Sequence, residues 1–157
     1  MSSYKVFFCL LIHLFFISCD DRDTNNTSSA RNEMIIGLYF GECIGDCATF
    51  YRLDERNVYA DVIENGYSED PAFSSESLNT TEELLNAFID LENQIPTMLI
   101  NNEEDSYGCP DCGDWGAIGF IYQGRRWTLD NSLNGNPDEI QAFVAEIQRL
   151  VMELSAG

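Results

Sequence analysis

The sequence predicts an α+β domain: an antiparallel sheet of about five strands with two helices packed on one face, in β-β-β-α-β-β-α order. Three observations predict it. Short apolar alternations come in pairs around turn-forming residues, the pattern of antiparallel hairpins. Two later segments place apolar residues at helical spacing behind capping signals. The tight connections leave both helices the same sheet face to cover.

Met34 to Phe40, rich in isoleucine and aromatics, reads as the first strand. Cys47 to Asp54 alternates around Phe50, Tyr51 and Leu53, and Glu55-Arg56-Asn57 turns the chain into Val58 to Ile63. Glu64 to Asn79 is loop, with Gly66, Pro71 and several serines. Thr80-Thr81-Glu82-Glu83 is a capping box, in which Thr80 and Glu83 satisfy each other's free amides. Behind it Leu84, Phe88, Leu91 and Ile95 recur at helical spacing, and Pro96 reads as a stop. Ala117 to Gln123 and Arg125 to Asp130 form a second hairpin about Gly124. Asn136-Pro137-Asp138-Glu139 then opens the last helix with a cap residue, a first-turn proline and acids on the dipole. Ile140, Phe143, Val144, Ile147, Leu150, Val151 and Leu154 are its core face.

Ahead of this domain lies an export signal. Lys5 supplies the positive charge, Val6 to Ile17 are apolar except for His13, and Phe16-Ile17-Ser18-Cys19 resembles a lipobox. Twelve helical residues span only about 18 Å, short of the ~30 Å hydrocarbon core, which argues for cleavage over a permanent span. The chain therefore divides into a lipoprotein signal peptide (1–18), a lipidated Cys19 with a polar acidic tether (19–32) and one globular domain (33–157). Asp20-Asp21-Arg22-Asp23 resembles the signals that send Bacteroidota lipoproteins to the outer face. The expected location is the cell envelope, as an outer-membrane lipoprotein facing the periplasm or the surface. Its membrane partner is reached through the N-terminal lipid.

Removing 18 of 157 residues leaves 139, enough for one real core. It also removes the only lysine, Lys5, and the only histidine, His13. Seven arginines then face 27 carboxylates, a formal charge of −20. That field repels nucleic acid and suits solubility or a cationic protein partner. Without an imidazole, Ser-His-Asp, Cys-His and His-ligated metal chemistry are all excluded. No cofactor is expected.

Four cysteines fall in the domain: Cys43 and Cys47 in GECIGDC, Cys109 and Cys112 in GCPDC. Two disulfides suit an exported protein, with the pairing open among three connectivities. The alternative is one zinc site built from all four thiolates. A redox dithiol at Cys109-Pro110-Asp111-Cys112 lacks the helix N-terminus that lowers a thiol pKa, and its neighbours Asp105, Asp111 and Asp114 oppose a thiolate.

Other candidates are weaker. Asp130, Ser132 and Asn134, with Gly135 sixth, resemble half of a calcium loop, but Gln141 stands where a bidentate glutamate is needed. A polar turn capped by Asn136 is the simpler reading. Glu92, Glu103, Glu104 and Asp105 offer carboxylates without showing a cleft. Tyr51, Trp115, Tyr122 and Trp127 are candidates for a ligand surface or for core packing. Arg125-Arg126 is the one basic spot, a local counter-charge.

Phe40-Gly41-Glu42-Cys43-Ile44-Gly45-Asp46-Cys47 with Phe50-Tyr51 resembles the FGxCxGxC(P)xY signature of a small Bacteroidota lipoprotein domain of unknown function. Cys109 to Asp114 resembles a later segment of such proteins. Ala48 stands where that family carries proline, and Phe50 at its tyrosine position. The resemblance implies an envelope compartment and a single domain, and brings no activity. The expected function is a lipid-anchored, non-enzymatic binding or structural module. The competing expectations are an acidic inhibitor capturing a cationic protein such as a lysozyme, and a carboxylate- or metal-dependent hydrolase.

Overall fold

The computed structural model describes residues 33–40, 47–62, 71–110, 112 and 116–157. In chain order the elements are β1 (Met34–Tyr39), β2 (Ala48–Asp54), β3 (Asn57–Ala60), α1 (Glu82–Leu91), α2 (Thr97–Asn101), β4 (Ser106–Tyr107), β5 (Ala117–Tyr122), β6 (Arg125–Asp130) and α3 (Asp138–Ser155). The strands form one sheet in the order β3-β2-β1-β5-β6-β4. The α+β class holds, with two corrections: the sheet has six strands and is mixed, and there are three helices. β4 runs parallel to β6, pairing Ser106 with Thr128 and Tyr107 with Leu129, whereas the other pairs are antiparallel.

β1 lies at the centre, with Gly37 opposite Phe50 on one side and Gly119 on the other. Alternation along the strands therefore sorts their residues between two unlike faces. Met34, Ile36, Tyr51, Leu53, Val58, Ile118, Phe120, Trp127 and Leu129 join the core shared with the helices. α3 lies against β1 and β2, and α1 packs on α3. Each fully buried side chain of the α3 stripe contributes about 1.5–3 kcal/mol through apolar burial. All seven of its expected core residues, Ile140 to Leu154, are buried.

On the opposite face the Phe50 ring lies across Gly37 and Gly119, leaving no room for a Cβ on either. Tyr39 stacks against Phe50 with centroids 6.4 Å apart. The Arg52 guanidinium sits 4.7 Å from the Tyr59 ring and 4.9 Å from Phe73. Phe73 reaches the sheet because Asp61 bridges to it, while Val62 and Ser74 donate to Ala72 and Ala60. That segment covers the otherwise open edge of β3.

Local chemistry explains the boundaries. The second hairpin turns through Gln123 and Gly124, at φ 51° and 78°, the left-handed pair that a two-residue turn requires. α1 is capped by Thr81, whose Oγ1 accepts from the Leu84 amide at 3.2 Å, one residue later than the expected box. The helical run ends before Pro96 as expected: α1 tightens into a 3-10 turn at Glu92–Gln94, and Ile95, which the spacing places in the helix, is extended at ψ 119°. Pro96 also has a second role. It is the N-cap of α2, where its fixed φ suits a helix entry and its missing amide is not needed. Among the described residues, no helix is long and apolar enough to cross a membrane.

Candidate functional site

The last turn of α3 and the Leu38–Phe40 and Cys47–Thr49 ends of β1 and β2 line a groove of about 280 Å³. Leu38, Phe40, Ala48, Val151 and Met152 give it apolar walls, and Cys47, Thr49, Ser155 and Ala156 complete the lining. Phe40 and Met152 remain 39% and 61% exposed, large apolar side chains at the rim of one cavity. The Ser155 hydroxyl is not free for chemistry. It donates to the Val151 carbonyl at 2.7 Å and so accepts from the Tyr51 hydroxyl at 3.0 Å. Cys47 is disulfide-bonded. The described lining thus holds no carboxylate, imidazole or free thiol, and most of it is apolar.

Sequence reasoning missed this groove. One signal was present: Met152 interrupts the polar side of α3 with a large apolar residue.

The expected ligand aromatics are elsewhere. Tyr51 and Trp127 are buried at 5% and 1% exposure on the helix side of the sheet, with Trp127 stacked on Phe120 at 5.2 Å. They form core rather than surface, because their strand positions share a parity with Leu53 and Leu129. Tyr122 lies on the same face, half-buried, and donates to Glu92 Oε1 at 2.5 Å. That hydrogen bond, then burial, holds its phenol above the usual tyrosine range. Trp115 lies outside the described residues.

Asp130 departs from the calcium-loop reading. Its Oδ2 accepts from the Cys109 amide at 3.0 Å and its Oδ1 from the Ser132 amide at 2.7 Å. The carboxylate is buried at 7% exposure and already holds backbone donors, while Ser132 and Asn134 face solvent. Gly135 is required for a reason other than a metal turn: a Cβ there would collide with the Asp130 carboxylate. Among the described residues, no group of three or more His, Cys, Asp or Glu side chains is arranged to hold a metal ion. Asn136 does not cap α3 either. Its Oδ1 accepts from the Asp130 amide at 3.1 Å, and its Nδ2 donates to the Asp130 and Ser132 carbonyls at 2.7 and 3.0 Å.

The remaining charged candidates also serve structure. Arg125 binds Asp105 at 2.9 Å, reaches the Leu99 and Glu104 carbonyls at 3.1 and 3.0 Å, and lies 4.7 Å from the Trp127 ring. It ties the end of α2 and the acidic loop to β6, which is more than a counter-charge. Glu103 and Glu104 are exposed.

Cys109 and Cys112 form a disulfide with Cα atoms 5.4 Å apart, which takes both sulfurs out of a four-thiolate zinc set. The next described element after them is β5, a strand. Cys19 and Cys43 lie outside the described residues. Compared with known proteins, the chain matches no protein-family model, no curated protein and no solved structure.

Proposed function

We propose that the chain is a lipid-anchored protein of the cell envelope whose domain is a non-enzymatic binding or structural module. Phe16-Ile17-Ser18-Cys19, followed by an acidic polar stretch, is the observation that carries this reading. The resemblance of the two cysteine motifs to a Bacteroidota lipoprotein domain agrees with it. The chemistry of the domain supports the second half. Asp130, Tyr122, Arg125 and Ser155 are each engaged in hydrogen bonds that tie one segment to another, Ser155 through the Tyr51 hydroxyl. The described lining of the groove offers mainly apolar contact, with no carboxylate or imidazole among its residues.

Expression with an azide-bearing palmitate analogue tests the anchor. The intact protein should take up label and sediment with membranes, and Cys19→Ala should do neither. Unlabelled, soluble wild-type protein would remove the anchor. Turnover of any envelope substrate by the purified protein would overturn the non-enzymatic reading.

The net charge of −19, or −20 once residues 1–18 are removed, favours one second reading, capture of a cationic protein such as a lysozyme. Among the described residues, Arg52, Arg125 and Arg149 are already engaged by Glu33, Asp105, Glu146 and Glu153. Such capture should weaken steeply between low and high salt. Binding that ignores salt would exclude it.

A further inference from the structure

The Cys109–Cys112 disulfide is placed unlike a structural staple. Both cysteines are exposed, and their separation of three residues closes a very short loop. So small a ring restricts the unfolded chain little, and it joins no two elements of the core. Cys47, by contrast, is buried to 9% exposure and is also disulfide-bonded.

The short loop is hung on one buried group. The Cys109 amide donates to Asp130 Oδ2, and the other oxygen of that carboxylate holds the Ser132 amide. Gly108, at φ 77°, brings the chain against the Asp130 Cβ and the Gly135 carbonyl, a fit that excludes any side chain. The cystine is therefore coupled through Asp130 to the turn that leads into α3.

We infer that the Cys109–Cys112 cystine is a reducible latch: a dithiol opens it in the folded protein and loosens the 130–136 turn while α3 stays packed. The dithiol's thiolate attacks one cystine sulfur, the S–S bond breaks, and the departing sulfur takes a proton. Its second thiol then displaces the remaining protein sulfur. Cys109 and Cys112 end as two thiols, and the reagent as a disulfide. Two electrons and two protons pass to the protein. Among the described residues the next element after Cys112 is the strand β5.

The test is graded dithiothreitol on the intact folded protein, maleimide quenching, peptide mapping and hydrogen exchange. Cys109 and Cys112 should be labelled at concentrations that leave Cys47 unlabelled. The Cys109 and Ser132 amides should then exchange about tenfold faster, with the α3 core amides unchanged. The double variant C109S/C112S should show the same exchange pattern without reductant. Labelling that requires denaturant would overturn the latch, as would α3 losing protection together with the turn. Unchanged exchange at Ser132, in the reduced protein and in the double variant, would overturn the coupling.

Discussion

The body of α3 and the turn that precedes it are adjacent in sequence and held by opposite physics. From Ile140 to Leu154 the helix is fixed by a stripe of apolar side chains, a non-directional attraction shared among many neighbours. From Asp130 to Asn136 the chain is fixed by directed hydrogen bonds around one buried carboxylate and one buried amide. The first arrangement should tolerate a change of shape that preserves volume. The second should tolerate no loss of a partner, because a buried donor or acceptor left alone keeps its full desolvation cost.

The largest effect should come from emptying the stripe. Phe143, 2% exposed and edge-on to Phe120 at 5.0 Å, fills the space between α3 and the sheet. Phe143→Ala should destabilise by about 3–5 kcal/mol in urea unfolding, and Phe143→Leu by well under half of that. Equal losses for the two would mean that shape, not volume, governs this packing.

The turn should respond next. Asn136→Ala strands the Asp130 amide and frees two carbonyls, at a cost of about 1–3 kcal/mol. Its signature is local: faster exchange at Asp130 and Ser132, with α3 still protected. Gly135→Ala attacks the same clasp by forcing the Asp130 carboxylate aside, at about 1–3 kcal/mol. A Gly135→Ala protein as stable as wild type would show that the carboxylate can move without consequence.

This contrast also explains what the sequence made legible. The α3 stripe repeats with the helical period, so all seven of its buried residues could be named in advance. The strands alternate, and Gly124 marks its turn, so both hairpins could be placed. Which face of each strand the helices would cover could not. Aromatics occupy both faces, with Tyr51 and Trp127 inside, and Tyr39 and Tyr59 on the other side. β4 is only two residues long and parallel, too short for alternation to register. Pro96 has the same sequence signature as a stop or as a start. The Asp130 clasp was the least legible. An Asp-Asn-Ser-Leu-Asn-Gly run advertises oxygen ligands, and only the fold brings the Cys109 amide to them across 21 residues. The groove joins the ends of β1 and β2 to the last turn of α3, a juxtaposition without a local pattern.

The smallest effect lies on the solvent side of the same helix and sharpens the comparison through pH. Arg149 binds Glu146 at 2.5 Å and Glu153 at 2.7 Å, with its own side chain 40% exposed. Hydrogen bonding from Arg149 holds the Glu146 carboxyl below its ordinary value. A carboxyl depressed in the folded state stabilises above its unfolded pKa, and that contribution is lost as pH falls through the folded one. Solvent screening keeps the pair small, so Arg149→Gln should cost only about 0.2–1 kcal/mol near neutrality. The deficit should shrink toward zero as acid protonates Glu146. The Phe143→Ala deficit should not move over the same range, since no proton is taken up by a cavity. An Arg149→Gln deficit that persists in acid would assign Arg149 to packing along the helix, through its aliphatic stem, and not to the ion pair.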